Sequence, residues 1–118
     1  MNGVNNERVI VLIVEDEEWI REGMKRAVKA LGFRVMEAES GAVAVAAAER
    51  VRPHLILTEE EMPDFSELTK RLREHPTLLN VPVVIVNPDA EDDTRHGDAI
   101  VLNDYDRLKR LPCLSSVV

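Results

Sequence analysis

The sequence predicts a single α/β domain built on a parallel sheet with helices on both faces. Two observations carry this. Short, wholly apolar runs recur along the chain: Val9 to Val14, Leu55 to Leu57 and Val83 to Val86. Such runs mark strands buried on both faces. Helical patterns separate them, which implies right-handed crossovers between parallel strands.

The elements follow in order. Val9 to Val14 is the first strand. Ile20, Met24, Ala27, Val28 and Leu31 then recur at helical spacing, one apolar stripe on a first helix. Asp16 is placed to cap it, and Gly32 to stop it. Arg34 to Ala38 is a short second strand. Ser40-Gly41 turns into an Ala/Val helix over Ala42 to Val51, which Arg52-Pro53 ends. Leu55 to Thr58 is the third strand. After a loop at Met62-Pro63-Asp64, Ser66 to Glu74 is a helix with Leu68 and Leu72 facing inward, closed by His75-Pro76. Val83 to Val86 is the fourth strand. Asn87 to Gly97 is polar and acidic with no apolar stripe; it reads as loop, with at most one helical turn. Ala99 to Leu102 is a weak fifth strand, and Tyr105 to Leu111 a short last helix. Residues 1–7 read as a leader, 8–111 as the domain and 112–118 as a loose tail. Five strands in this length suit a doubly wound, flavodoxin-like sheet of order 2-1-3-4-5.

Composition narrows the function. The 118 residues carry a net charge of −7, which argues against non-specific nucleic-acid binding and against an anionic membrane surface. Aromatic residues are only 3% of the chain, so the core must be aliphatic. Cys113 is the sole cysteine, which precludes an internal disulfide and fits a reducing, cytoplasmic compartment. No apolar run approaches the ~20 residues of a membrane span. Met1 to Arg8 is polar and lacks the apolar core of a signal peptide.

Two acidic clusters stand out. Glu15-Asp16-Glu17-Glu18 follows the first strand, and Glu59-Glu60-Glu61 follows the third. In open α/β sheets function collects at the carboxyl ends of the strands, so the two clusters suggest one acidic pocket. His54, His75 and His96 are scattered, without metal-ligand spacing. Met24, Met36 and Met62 read as packing residues.

Several segments together resemble the receiver domain of two-component response regulators, the CheY-like family. Val11-Leu12-Ile13-Val14-Glu15-Asp16-Glu17 is similar to its first strand and acidic pair. Gly32-Phe33-Arg34-Val35, Glu37-Ala38 and Ser40-Gly41 match its second strand and turn. Arg52-Pro53, Leu55-Ile56-Leu57 and Met62-Pro63 match the segment around its phosphoacceptor. Val81-Pro82-Val83-Val84 matches its fourth strand. The resemblance covers residues 8–111. It implies phosphorelay signal transduction: a kinase histidine passes a phosphoryl group to an aspartate beside Mg²⁺. A Thr or Ser after the fourth strand and a Lys after the fifth then grip that group, and an aromatic on the fifth strand rotates with them.

Carried over position by position, the resemblance sets Glu15 and Asp16 as the acidic pair. It sets Glu59 as the phosphoacceptor equivalent, a Glu where the family has Asp. Asn87 takes the Thr/Ser position, and Asn103 (or Asp104) the Lys position. Ile100 or Val101 takes the place of the aromatic. Too little chain lies between Asn87 and Gly97 for the family's usual fourth helix. These departures describe a degenerate receiver, a pseudo-receiver. Glu15, Asp16 and Glu59 would hold Mg²⁺, bound weakly or not at all; the plainer reading of Glu15 and Asp16 is helix capping. Glu59 reads as a remnant of the pocket, ahead of a built-in mimic of the phosphorylated state and of a working acceptor. Arg21, Lys25 and Lys29 read as a solvated polar face, ahead of a docking surface. The function expected is a phosphorylation-independent interaction module, not an enzyme. Its partner would be a histidine kinase or an output protein, with oligomeric state open. The alternatives are a working receiver with an atypical acceptor, then a Mg²⁺-dependent phosphohydrolase.

Overall fold

In the computed structural model the described residues are 8–58, 64–90, 94–96 (backbone only) and 99–111. The elements are β1 (Ile10–Val14), α1 (Glu18–Ala30), β2 (Arg34–Ala38), α2 (Gly41–Arg50), β3 (Leu55–Thr58) and α3 (Phe65–Glu74). They continue with β4 (Val83–Val86), β5 (Thr94–His96), β6 (Ala99–Leu102) and a 3-10 helix (Tyr105–Arg110). The sheet runs β2-β1-β3-β4-β6-β5. Its first five strands are parallel, in the expected order.

The sixth strand departs from the sequence reading. β5 falls within the stretch read as loop and pairs antiparallel with β6, Arg95 opposite Ile100. Between β4 and β6 the described residues form a turn and this strand, with no helix among them. An edge strand of three residues is fixed by backbone pairing rather than by side-chain burial. The last helix also differs: it is a tighter 3-10 helix, capped by Asp104, whose Oδ1 accepts from the Asp106 N–H at 2.8 Å.

Because side chains alternate across a strand, the sheet supports two cores. Leu12, Val14, Ile56, Val83 and Ile85 face α2 and α3, meeting Ala44, Ala48, Leu68 and Leu72. Val11, Ile13, Leu55, Leu57 and Val84 face the other way, meeting Met24, Val28, Phe33 and Leu108. The small residues of α2 let it lie close to the sheet. Its N-terminus is doubly satisfied. Ser40 Oγ accepts from the Val43 N–H, and Asp64 Oδ2 accepts from the Gly41 N–H at 2.8 Å. Asp64 thereby ties the start of α3 to the start of α2, a contact the sequence reading did not foresee.

Gly41 is required by that close approach. A Cβ there would lie 2.7 Å from Asp64 Oδ2 and 3.2 Å from Leu68 Cβ. Gly41→Ala should therefore destabilise the domain by about 1–2 kcal/mol, the cost of a lost charge-assisted hydrogen bond less the propensity gain. A urea midpoint at or above wild type would refute this.

Thr58, at the end of β3, is fully buried, and its Oγ1 has no hydrogen-bond partner among the described residues. An unpaired buried hydroxyl costs free energy that an isosteric methyl does not. Thr58→Val should raise stability by about 1 kcal/mol. Thermal unfolding measures this, and a fall in stability would show that the hydroxyl is partnered.

Candidate functional site

The carboxyl ends of the parallel strands share one edge of the sheet. Ile13 pairs with Leu57, so β1 and β3 end at the same level, one residue further on. Val86 pairs with Leu102, which ends β4 and β6 together. The topology therefore brings Glu15, Asn87 and Asn103, each the residue following its strand, to a single pole. Glu59 follows β3 in sequence but lies outside the described residues, as do Glu60 and Glu61.

Glu15 is buried while Asp16 is exposed. The Glu15 N–H donates to the Ala38 carbonyl at 3.0 Å, prolonging the β1–β2 ladder by one bond. Its Oε2 accepts from the Glu17 N–H at 3.2 Å. The capping expectation shifts accordingly. Glu17, not Asp16, is the N-cap residue of α1, and its side chain makes no capping bond. Glu15 serves the loop before the helix, which leaves the Asp16 carboxylate in solvent. Gly32 does end the segment, with φ 93°, a value that favours glycine.

Asn87 holds its own turn. Its N–H donates to the Leu102 carbonyl at 2.8 Å, and its Oδ1 accepts from the Asp89 N–H at 3.0 Å. Asn103 is half-buried and uncharged. Asp104, the other residue considered for this position, is occupied as a cap. Val101 is buried, and Ile100 packs against the α1-side core. Both are aliphatic, so no aromatic stands on β6.

The basic residues of α1 are the main correction. Arg21 and Lys25 are not a freely solvated face. Arg21 Nε donates to Glu37 Oε1 at 3.0 Å, and Arg21 Nη1 donates to the Glu15 carbonyl at 2.8 Å. Lys25 Nζ reaches Glu37 at 2.7 Å and Glu22 at 3.1 Å. Hydrogen bonding to Lys25, then to Arg21, lowers the Glu37 pKa, against an opposing burial effect. The hydrogen bonds that Lys25 donates to Glu37 and Glu22 raise its own pKa. Lys29 alone of the three is exposed. The Arg21–Glu37 pair joins α1 to β2 across sixteen residues; no local pattern announces it.

Among the described residues no three His, Cys, Asp or Glu side chains converge as a metal site. The donors that Glu15 and Asp16 supply are carboxylate oxygens, which suit a hard cation such as Mg²⁺. Arg21, the basic side chain nearest the acidic pair in sequence, is held by Glu37 and the Glu15 carbonyl. No helix among the described residues is long and apolar enough to cross a membrane.

The sequence profile of the response regulator receiver domain matches residues 11–106. The chain is 32% identical over 98 residues to the phosphate regulon transcriptional regulatory protein PhoB of Pseudomonas aeruginosa, covering 80% of this chain and 43% of that one. It is 33% identical over 78 residues to the polar-differentiation response regulator DivK of Brucella anthropi, covering 64% of this chain and 63% of DivK. The chain thus spans less than half the length of PhoB. The crystallised chemotaxis protein CheY4 of Vibrio cholerae superposes with a TM-score of 0.69 at 21% identity, over 86% of this chain and 93% of that one. That likeness concerns the fold.

Proposed function

Because the chain belongs to the response regulator receiver domain family, we propose that it is a two-component signalling receiver whose output is protein binding without phosphorylation. The observation that carries this reading is the identity of three residues, each the next in sequence after a strand of the sheet. Position 59 is Glu, position 87 is Asn and position 103 is Asn. In a receiver these places call for the acceptor Asp, the Thr/Ser and the Lys.

Each change removes a physical requirement. A Glu at the acceptor position is one methylene longer than Asp, which moves the attacking oxygen away from its in-line position. Asn87 spends its Oδ1 on its own turn, and it has no hydroxyl to follow a phosphoryl group. Asn103 has no charge with which to neutralise one. Mg²⁺, if bound by Glu15, Asp16 and Glu59, would screen three carboxylates that otherwise repel. Glu59 by itself is a poor mimic of a phosphoryl group, which carries roughly −1.5 to −2 charge and three acceptor oxygens.

Histidine kinases and output domains are the partners with which receivers work, and a signalling protein of that kind is the partner proposed for this chain. A phosphohydrolase reading is disfavoured because such a site needs a basic clamp, and Arg21 is already engaged. The test is capture of partners by the immobilised chain from native lysate, with and without acetyl phosphate and Mg²⁺. The same proteins should be retained in the same amounts. A partner whose retention changes several-fold with the phosphodonor would overturn the reading.

A further inference from the structure

A cavity of about 310 Å³ lies at the end of the sheet away from Glu15, Asn87 and Asn103. The chain enters β3 and β4 there side by side, since Ile56 pairs with Val83. Arg52 and His54 border the cavity on the β3 side, and Thr77, Leu79 and Asn80 on the β4 side. No Asp or Glu among the described residues lines it. In a chain of net charge −7, a hollow that holds a guanidinium and no carboxylate favours an anion.

Acceptors beside this cavity are spent, while donors are not. Arg73 takes the carbonyls of Leu79 and Val81, each at 3.0 Å. The Val81 N–H takes that of Leu78, and the Ile56 N–H that of Pro82, each at 3.0 Å. Arg52 spends Nη1 on the Thr77 carbonyl at 3.1 Å, which fixes its side chain at the rim. The Nε–Nη2 edge of that guanidinium has no partner among the described residues. His54 Nδ1 accepts from the Ile10 N–H at 3.0 Å. A backbone N–H can only donate, so the neutral ring carries its hydrogen on Nε2. Neither that Nε2–H nor the Asn80 side-chain amide bonds any described residue. Pro53, Pro76 and Pro82 complete the lining with rigid apolar wall, and Leu79 is exposed beside them.

We propose that this cavity binds a small phosphate monoester. Three donor side chains, Arg52, His54 and Asn80, answer the three terminal oxygens of a phosphoryl group, whereas a carboxylate offers only two. The free edge of the Arg52 guanidinium matches two of those oxygens at once. The volume is at the small end of the range for ligand cavities, roughly 300–1,000 Å³, and exceeds what a phosphoryl group alone fills. The prolines and Leu79 receive the organic part of the ester. Bound there, the ester bridges the entries of β3 and β4, so binding stabilises the fold.

Titration of phenyl phosphate into the isotope-labelled chain, followed by NMR without Mg²⁺, tests this. Saturable shifts are expected at the amides of His54, Leu55 and Asn80 and at His54 Nε2, with a dissociation constant in the millimolar range or below. Inorganic phosphate lacks the apolar part and benzoate the third oxygen, so each should bind several-fold more weakly. Arg52→Gln should weaken phenyl phosphate about tenfold or more, the worth of a charge-assisted hydrogen bond. Asn80→Ala should weaken it several-fold. Both side chains are exposed, so the urea midpoints of these variants should stay close to the native one. His54→Asp keeps an acceptor for the Ile10 N–H but sets a negative charge in the cavity, so it should abolish binding. No saturable shift at tens of millimolar would overturn the proposal, as would shifts confined to the Glu15 and Asn103 end. So would benzoate or inorganic phosphate binding as tightly as phenyl phosphate, or an affinity indifferent to Arg52→Gln and Asn80→Ala. The readout lies at the far end of the sheet from Glu15 and Asn103, so this proposal and the phosphorylation-independent reading fail separately.

Discussion

Ile56→Ala is expected to cost about 2–5 kcal/mol, the range for deleting a large aliphatic side chain from a packed core. Ile56 is fully buried in β3, the middle strand of the parallel five. Its side chain joins the core under α2 and α3 with Leu12, Leu68, Leu72 and Val83. Its backbone is held as well, the N–H donating to the Pro82 carbonyl at 3.0 Å, so the strand cannot shift to fill the void. Domains of this size are stable by only about 5–15 kcal/mol, so this one change removes a large share of the total. Urea unfolding followed by circular dichroism gives the value. A loss under about 1 kcal/mol would contradict two-sided burial of β3.

Arg21→Met should be the most damaging change among the polar residues, costing about 2 kcal/mol for two hydrogen bonds that involve a charged group. The side chain is largely buried at 15% exposure and spans from the Glu15 carbonyl to Glu37. Methionine keeps the aliphatic packing, so the loss reads out the polar contacts. Amide hydrogen exchange should quicken at Glu15 to Glu17, because Arg21 pins the loop that presents the acidic pair. Unchanged exchange there would show that α1 holds the loop without Arg21.

The same network gives a pH dependence whose sign follows from the shifts. The Glu37 pKa lies below its ordinary 4.5 in the folded chain. Its contribution is therefore present above that value and is lost as pH falls through the lower folded value. The Lys25 pKa lies above its ordinary 10.5, so its contribution is present below that value and lost as pH rises through the higher one. Solvent screening keeps both effects small. Arg21→Met should flatten the acid limb of the stability curve, since Arg21 is one of the two cations that hold Glu37 ionised.

The parallel sheet was legible in the sequence because its strands are written in burial. Val11 to Val14, Leu55 to Leu57 and Val83 to Val86 are apolar without interruption, as strands covered on both faces must be. The helix ends were legible where local chemistry sets them, at Ser40, Gly32 and Arg52-Pro53. β5 was not. Thr94-Arg95-His96 has no apolar pattern, and an edge strand of this length is defined by the neighbour it pairs with. For the site, Glu15 and Asp16 were legible as acids following a strand. The Arg21–Glu37–Lys25 network was not, because it depends on how α1 lies across β2. Asp64 was missed for the same reason: its partner, Gly41, is 23 residues away. The reading of Glu59 rests on sequence alone.

On the proposed function, this receiver takes up no phosphoryl group. Intact mass after incubation with acetyl phosphate and Mg²⁺ measures this directly, with Glu59→Asp run alongside. The native chain is expected to show no gain, and labelling confined to Glu59→Asp would place the block at that one side chain. A gain of one phosphoryl group on the native chain would contradict the account.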